Sequence, residues 1–423
     1  MLAKKVSGTL LGTWLLIPEH LRLGSWDLLT TWTNKDSGEV EPRLALQMVH
    51  EAALCLTGIR QTRSLCHQSF ELVNGLPFIA TDEEIHRLLD DHTMQEAKQL
   101  QINLAKLRLS LGHYKAKLIA FDPHRIPTKS RRIMPKKKSR PQERSQPVLQ
   151  SFFANDAETG QPFGFTLSSS GKTTTRASIE LMNILDAILL AEDVLLLTDT
   201  EYDSRKLLDY ISENNRYNIL MPAAKRQKVM RTIKGFSYQR HWAGYATAEA
   251  PSRYEDSRHE FRLIGQRCGE NESEYDYKPF IATGTESSLE LITEKYPDRW
   301  TIEEFFNFEG AMGWNRASTM NLNIRYGKLS LALIAQAVAY QLKEKLPQPY
   351  KDWTAQHLSN SVFRGIDGDL KVKDDTIIAT LYDVPQSLNL KQHYENMTER
   401  LVREGVNPRI PWLYDLKTDF KFK

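Results

Sequence analysis

Apolar positions change their spacing near residue 115. Before it they follow a helical period: 42–56 carries Leu44, Leu46, Met48, Val49 and Ala52, and 82–111 is a long, charged, amphipathic stretch. The two segments flank a turn at Gly75 and predict a helical N-terminal domain over 1–112, in which no helix-turn-helix signature stands out. From Lys115 onward, short apolar runs separated by turns take over. Leu118-Ile119-Ala120-Phe121 leads to Asp122, where Pro123 predicts the end of a strand. Val148 to Ala154 and Pro162 to Leu167, joined by Asp156-Ala157-Glu158-Thr159-Gly160, read as an antiparallel hairpin. A helix from Thr173 presents Leu181, Leu185, Ile188 and Leu189 on one face. The unalternating run Val194 to Leu197 predicts a strand buried on both sides, with Asp199 just past its carboxyl end. Leu207, Leu208 and Ile211 mark a short helix with Asp203 as the expected cap, and Tyr217 to Pro222 one more buried strand.

Strand, hairpin, helix, strand, helix, strand is the order of an α/β domain with a mixed sheet flanked by helices, an antiparallel meander joined to parallel crossovers. It occupies 113–223. Residues 224–290 break the rhythm: they are polar, basic at first, and carry Phe236, Tyr238, Trp242, Tyr245 and Tyr254. They read as an inserted β-rich subdomain, either a surface that could clamp a DNA hairpin or stack on a displaced base, or a self-contained β core. At Pro297 a helix resumes, with Tyr296, Arg299 and Glu303 on one stripe and Trp300 expected in the core. This second part of the core runs over 291–346 and includes a helix from Leu329 to Lys345. The C-terminal region, 347–423, contains a short β-like pair, 370–372 and 376–381, to which no chemistry attaches.

Cys55, Cys66 and Cys268 stand apart from one another, with no spacing suited to zinc, and a reducing compartment fits them. The stretch Val6 to Ile17 follows Lys4 and Lys5 but no small-residue cleavage site comes after it, so it reads as structure. Ile179 to Leu197 is interrupted by Asp186, Glu192 and Asp193 and predicts no membrane span. A cytoplasmic, nucleoid-associated protein is the expectation. The net charge of only +3 hides strong clustering. One basic block contains Arg125, Lys129, Arg131, Arg132, Lys136, Lys137, Lys138, Arg140 and Arg144; a second contains Arg216, Lys225, Arg226, Lys228, Arg231, Lys234 and Arg240. Solvated loops would explain either block. Phosphate contacts with double-stranded DNA, centred on Lys136, Lys137, Lys138, Arg226 and Lys228, would explain both, because each neutralised phosphate releases a counterion.

Two carboxylates at strand ends and a third on a later helix could share one edge of the sheet, where open α/β sheets place their ligands. Converging oxygens suit Mg²⁺, or Mn²⁺ as its substitute, and a pair of such ions can serve phosphodiester cleavage and joining. Asp122 before a proline could also simply start a turn. Asp156, the rival first ligand, sits in the hairpin loop, where a turn role is favoured. Asp199 stands too early to cap the helix near Ser204, and Glu303 could merely pair with Arg299.

At this point the chain resembles the DDE insertion-sequence transposases with a β-rich insertion in a ribonuclease H-like core. The likeness is carried by Ile119 to Asp122, by Leu197-Thr198-Asp199-Thr200-Glu201-Tyr202, and above all by Tyr296-Pro297-Asp298-Arg299-Trp300-Thr301-Ile302-Glu303, most of the family's Tyr-x2-Arg-x3-Glu-x6-Lys signature. The resemblance implies a ribonuclease H-like fold, Asp122, Asp199 and Glu303 as catalytic metal ligands, and Tyr296 and Arg299 as contacts to DNA phosphates. It also implies DNA binding by the N-terminal domain, cleavage at element ends, joining of 3′-hydroxyl ends to target DNA, and a homodimer in the DNA complex. Two departures stand out. Gly310 replaces the signature lysine, whose phosphate contact is then either missing or supplied by another residue such as Arg316, and Glu201 adds a carboxylate where many relatives carry glycine. A transposase-derived DNA-binding protein without catalysis, and a nuclease or resolvase on the same core, are the competing readings.

Overall fold

The site-bearing sheet begins with the strand that ends in the sequence reading at Asp122 and in fact runs on for five more residues. In the computed structural model, residues 5–36, 38–56, 68–76, 80–139, 142–190, 192–316 and 319–423 are described. Cys66 and Arg140 lie outside them. The chain divides into two compact units, 112–305 and a second made of 1–111 with 306–423. Among the described residues no helix is long and apolar enough to cross a membrane.

In the unit 112–305 the strands are β1 (Leu118–Pro127), β2 (Val148–Asp156), β3 (Pro162–Ser169), β4 (Val194–Leu197), β5 (Tyr217–Pro222), β6 (Gln239–Trp242), β7 (Tyr245–Ser252), β8 (Phe261–Cys268) and β9 (Asp276–Ala282). They form one nine-stranded sheet in the order β3-β2-β1-β4-β5-β9-β8-β7-β6. Its first five strands are a ribonuclease H-like mixed sheet: β1, β2 and β3 are antiparallel, while β4 joins β1 and β5 in parallel. The four leucine and valine positions of β4 lack alternation because strands pair on both flanks and both faces are covered. Helix Thr174–Ile188, started by the Thr173 side chain accepting from the Arg176 amide, packs on β2 and β3; helix Arg205–Asn214 packs on β5.

Pro123 does not terminate β1, contrary to the expectation. Parallel pairing with β4 stops at Ala120 and Leu197, so residues 121–127 pair only with β2. A strand with one open flank tolerates a proline, because the missing N–H can face away from the ladder. Asp156 serves the turn. Its carboxylate accepts from the amides of Lys115, Ala116, Glu158 and Thr159, which leaves it committed to backbone donors. Residues 224–290 supply a helix, Gln227–Lys234, and then β6 to β9, which extend the core sheet through the antiparallel pairing of β9 with β5.

The other unit is built round the helix Leu322–Lys343, which is buried on every side from Leu329 to Ala339. Helices Leu16–Leu23, Val40–Ala53, Asp82–Asp91 and Met94–Ser110 pack against it, so the helical N-terminal segment shares a core with the C-terminal region. The stretch 82–111 is two helices, not one. Thr93 and Glu96 form a capping box whose reciprocal bonds start a new helix, as Thr81 and Glu84 do for the first. A five-stranded sheet completes the unit, in the order Val6–Gly8, Gly368–Lys373, Thr376–Leu381, Leu416–Phe422, Arg409–Ile410. The sequence pattern shows only the central pair.

Candidate active site

Asp122 and Asp199 are brought together by strand register. Leu118 pairs with Leu195 and Ala120 with Leu197, so two residues further along each chain the carboxylates stand level, at the lip where β4 ends and the sheet opens. Asp199 begins a single 3₁₀ turn, Thr200–Tyr202, and one of its oxygens accepts the Glu201 amide at 2.8 Å. The cap of the following helix is Ser204, which accepts from the Leu207 amide, and not Asp203 as the sequence suggested. Asp203 is drawn away because its oxygens accept from the Ala224 amide at 2.7 Å and from the Tyr254 hydroxyl.

The third carboxylate arrives on a helical path that starts at Ser288, nine residues before the predicted start at Pro297. It passes through a π turn, Leu291–Lys295, and a 3₁₀ segment, Tyr296–Trp300, before the α-helix from Thr301 that carries Glu303. Buried Arg299 ties this path to β1: Nη2 lies 2.8 Å from Glu303 Oε1 and Nη1 3.8 Å from Asp122 Oδ1. Its guanidinium also lies over the rings of Trp300, at 5.0 Å, and Tyr296, at 5.9 Å. Trp300 is 57% exposed, which overturns its assignment to the core: the 3₁₀ turn directs it outward, with its ring face against the guanidinium.

Electrostatics at the lip follow from this crowding. Burial, and then the charge of Asp199, hold the Asp122 carboxyl well above the usual range, with Glu303 and Glu201 adding to the rise and Arg299 opposing it. Burial and Glu201 raise Asp199 as well, against the pull of the Glu201 amide. The fully buried Tyr202 hydroxyl is pushed up by burial and by both aspartates.

Do these residues suit a divalent ion? Their carboxylate oxygens are the donors that Mg²⁺ and Mn²⁺ prefer. The hydroxyls of Thr198 and Tyr202 and Nε of Arg299 are buried without a hydrogen-bond partner, which marks a place short of polar neighbours. Among the described residues, however, no three His, Cys, Asp or Glu side chains stand ready-made as a metal cage. The Arg299 guanidinium pairs with Glu303 and faces Asp122, supplying countercharge there. The donor chemistry of these oxygens fits such an ion.

The other residues singled out by sequence are distributed as follows. Tyr296 lies beside Arg299 and makes an edge contact with Phe280 at 5.2 Å. Lys136 and Lys138 are exposed, whereas Lys137 is half-buried, its Nζ 3.1 Å from Gln150 Oε1. Arg226 and Lys228 are exposed at the start of helix Gln227–Lys234, with Arg226 3.6 Å from Asp203. Arg316 is exposed in the unit that contains 306–423. At Gly310 a Cβ would lie 2.2 Å from Asn315 Nδ2, so the space beside the missing lysine is filled by a carboxamide. Tyr202 and the ion pair of Arg125 with Glu201 went unassigned by sequence. The clue was present in the extra carboxylate two residues past Asp199, lying opposite a basic block.

A family model described as transposase DDE domain matches residues 113–337, more than half of the 423-residue chain. The chain belongs to this family of transposases. No curated protein matches it. Among solved structures, it is similar to a cryo-EM structure of the piggyBac transposase synaptic complex with hairpin DNA, at 10% identity and a TM-score of 0.46, over 95% of this chain and 87% of that one.

Proposed function

We propose that this transposase-family protein cleaves DNA at the ends of its own element and joins the freed 3′-hydroxyl ends to target DNA, with Asp122, Asp199 and Glu303 as the working carboxylates. The observation that supports the reading is the register of β1 and β4, by which the half-buried Asp122 and Asp199 stand level at the sheet lip, with Arg299 facing Asp122 and pairing with Glu303 of the later helix. When bound there, Mg²⁺ or Mn²⁺ supplies activation of the attacking oxygen and charge stabilisation for the leaving one. Arg299 holds Glu303 back until a phosphate competes for its guanidinium, and Tyr296 and Arg299 then position the scissile strand. Lys136, Lys137, Lys138, Arg226 and Lys228 contact the backbone of double-stranded DNA, and the active complex is a homodimer. Phosphoryl transfer rests on positioning and charge neutralisation, so a small number of fixed side chains suffices.

Asp122→Asn or Glu303→Gln should abolish strand cleavage of an element-end duplex in Mg²⁺ while leaving duplex binding in place. Cleavage retained by either variant would remove that residue from the mechanism. A second reading, a DNA-binding relative without catalysis, is favoured by one observation: Gly310 replaces the signature lysine and its space is closed by Asn315. A strand-transfer assay on the unaltered protein separates the two.

A further inference from the structure

Arg125 and Lys137 converge on one neutral atom. Lys137 Nζ lies 3.1 Å and Arg125 Nε 3.4 Å from Oε1 of Gln150, which pairs with Arg125 across β1 and β2 and is wholly buried. The Gln150 amide is itself fixed, donating to the Ser169 carbonyl at 2.9 Å and the Lys172 carbonyl at 3.4 Å. Arg125 gives a further bond to the Lys138 carbonyl at 3.3 Å, and Lys137 one to the Lys172 carbonyl at 3.3 Å. Two cations are thus held side by side by neutral oxygens. The carboxylate facing Arg125 is Glu201, 43% exposed on the turn just past Asp199. Burial and the neighbouring Arg125 charge hold the Lys137 ammonium below its ordinary value, with Glu201 opposing, so an anion lodged between the two cations is favoured by both. A simple surface ion pair would need no second cation.

We propose that Arg125 and Lys137 form a clamp for a DNA backbone phosphate beside the carboxylate lip, and that Glu201 occupies it as an internal stand-in which the phosphate displaces. The inference rests on the DNA reading above, yet it does not depend on the carboxylates being catalytic. A guanidinium presents the planar fork that matches phosphate oxygens, and its side chain is already immobilised, so little ordering remains to be done on binding. The clamp also supplies, from the strand side, a phosphate contact independent of position 310.

The test is equilibrium binding of a labelled random-sequence DNA duplex to the full chain in EDTA across a salt series. Glu201→Gln should tighten binding about threefold, the scale of an exposed ion pair. Arg125→Gln should weaken binding and reduce the slope of log K against log salt by about 1. Arg125→Lys, which keeps the charge, should restore the slope and so exclude misfolding as the cause. In the Arg125→Gln background Glu201→Gln should bring a smaller gain, because Glu201 pairs with Arg125. An unchanged slope in Arg125→Gln, or an equal gain from Glu201→Gln in both backgrounds, overturns the clamp and leaves the DNA reading standing. Failure of the unaltered protein to bind duplex overturns both.

Discussion

Asp122 is kept at a cost to stability. Its carboxyl is raised well above the ordinary range by burial and by Asp199, so the folded chain holds that proton more tightly than the unfolded chain does. A raised acid leaves stability intact below the unfolded pKa and lowers it as pH climbs towards the folded one. Neutral pH lies above the ordinary carboxyl range, so the penalty is felt there. Asp122→Asn, neutral and nearly isosteric, should therefore unfold at a higher temperature than the unaltered protein at pH 7 in EDTA, with the gap closing as the pH falls towards the ordinary carboxyl range. Thermal scans of the two proteins at matched pH would check this, and a variant less stable at pH 7 would show that Arg299 outweighs the crowding. The same residue would then be costly for folding and required for cleavage, as expected of a site arranged for function.

Elements were legible where the local pattern reports local surroundings. The run Val194 to Leu197 announced a strand covered on both faces, and Thr159-Gly160 announced the hairpin, because burial and turn chemistry act on the residues themselves. Pro123 misled because the end of pairing with β4 is a property of a segment some seventy residues away. Val6–Gly8 was invisible as a strand for the same reason: its partner is Gly368–Lys373. Of the candidate site, the carboxylates are singled out in the sequence by their place after apolar runs and by the Arg299 to Glu303 spacing, whereas the pairing of Arg299 with Glu303 and of Arg125 with Glu201 depends on side-chain packing. Packing between helices also hides a titrating chain. His20 Nδ1 meets Ser25 Oγ at 2.6 Å, His20 Nε2 meets His50 Nε2 at 3.1 Å, and His50 Nδ1 meets Asn74 Oδ1 at 2.6 Å, all fully buried. Burial lowers His50 to about 4 and His20 well below its ordinary value. Both are depressed in the folded state, so the stability present above the unfolded value of 6.5 should be lost as pH falls through the window down to about 4. Each histidine contributes at most about 1.4 kcal/mol per pH unit there. Urea midpoints measured across that window should fall, and less steeply in His50→Gln; an identical pH dependence in the variant would exclude this pair as the origin.

On the scale of the whole molecule, the chain folds one unit from its two ends, 1–111 and 306–423, and the other from the middle. That division bears on whether the first hundred residues form a free-standing DNA-binding domain. Such a domain needs a core of its own, but the buried faces of Val40–Ala53 and Met94–Ser110 are turned against Leu322–Lys343. Arg108 Nη1 bonds Gln336 Oε1 at 2.8 Å with both side chains buried, and the Ser330 hydroxyl donates to the Ala97 carbonyl at 3.3 Å. Gly12 is close-packed too: a Cβ there would stand 1.9 Å from the Val362 carbonyl oxygen. Cut after residue 111, the N-terminal piece would expose these apolar stripes and leave the Arg108 guanidinium without the glutamine that satisfies it. A fragment of residues 1–111 should accordingly retain helical circular dichroism from its capped helices, yet bind a hydrophobic dye and unfold without a cooperative transition. Co-expression with 306–423 should restore both a sharp transition and a dispersed amide spectrum. Cooperative unfolding of 1–111 alone would show instead that its helices close a core among themselves, and that the shared one is an addition to it.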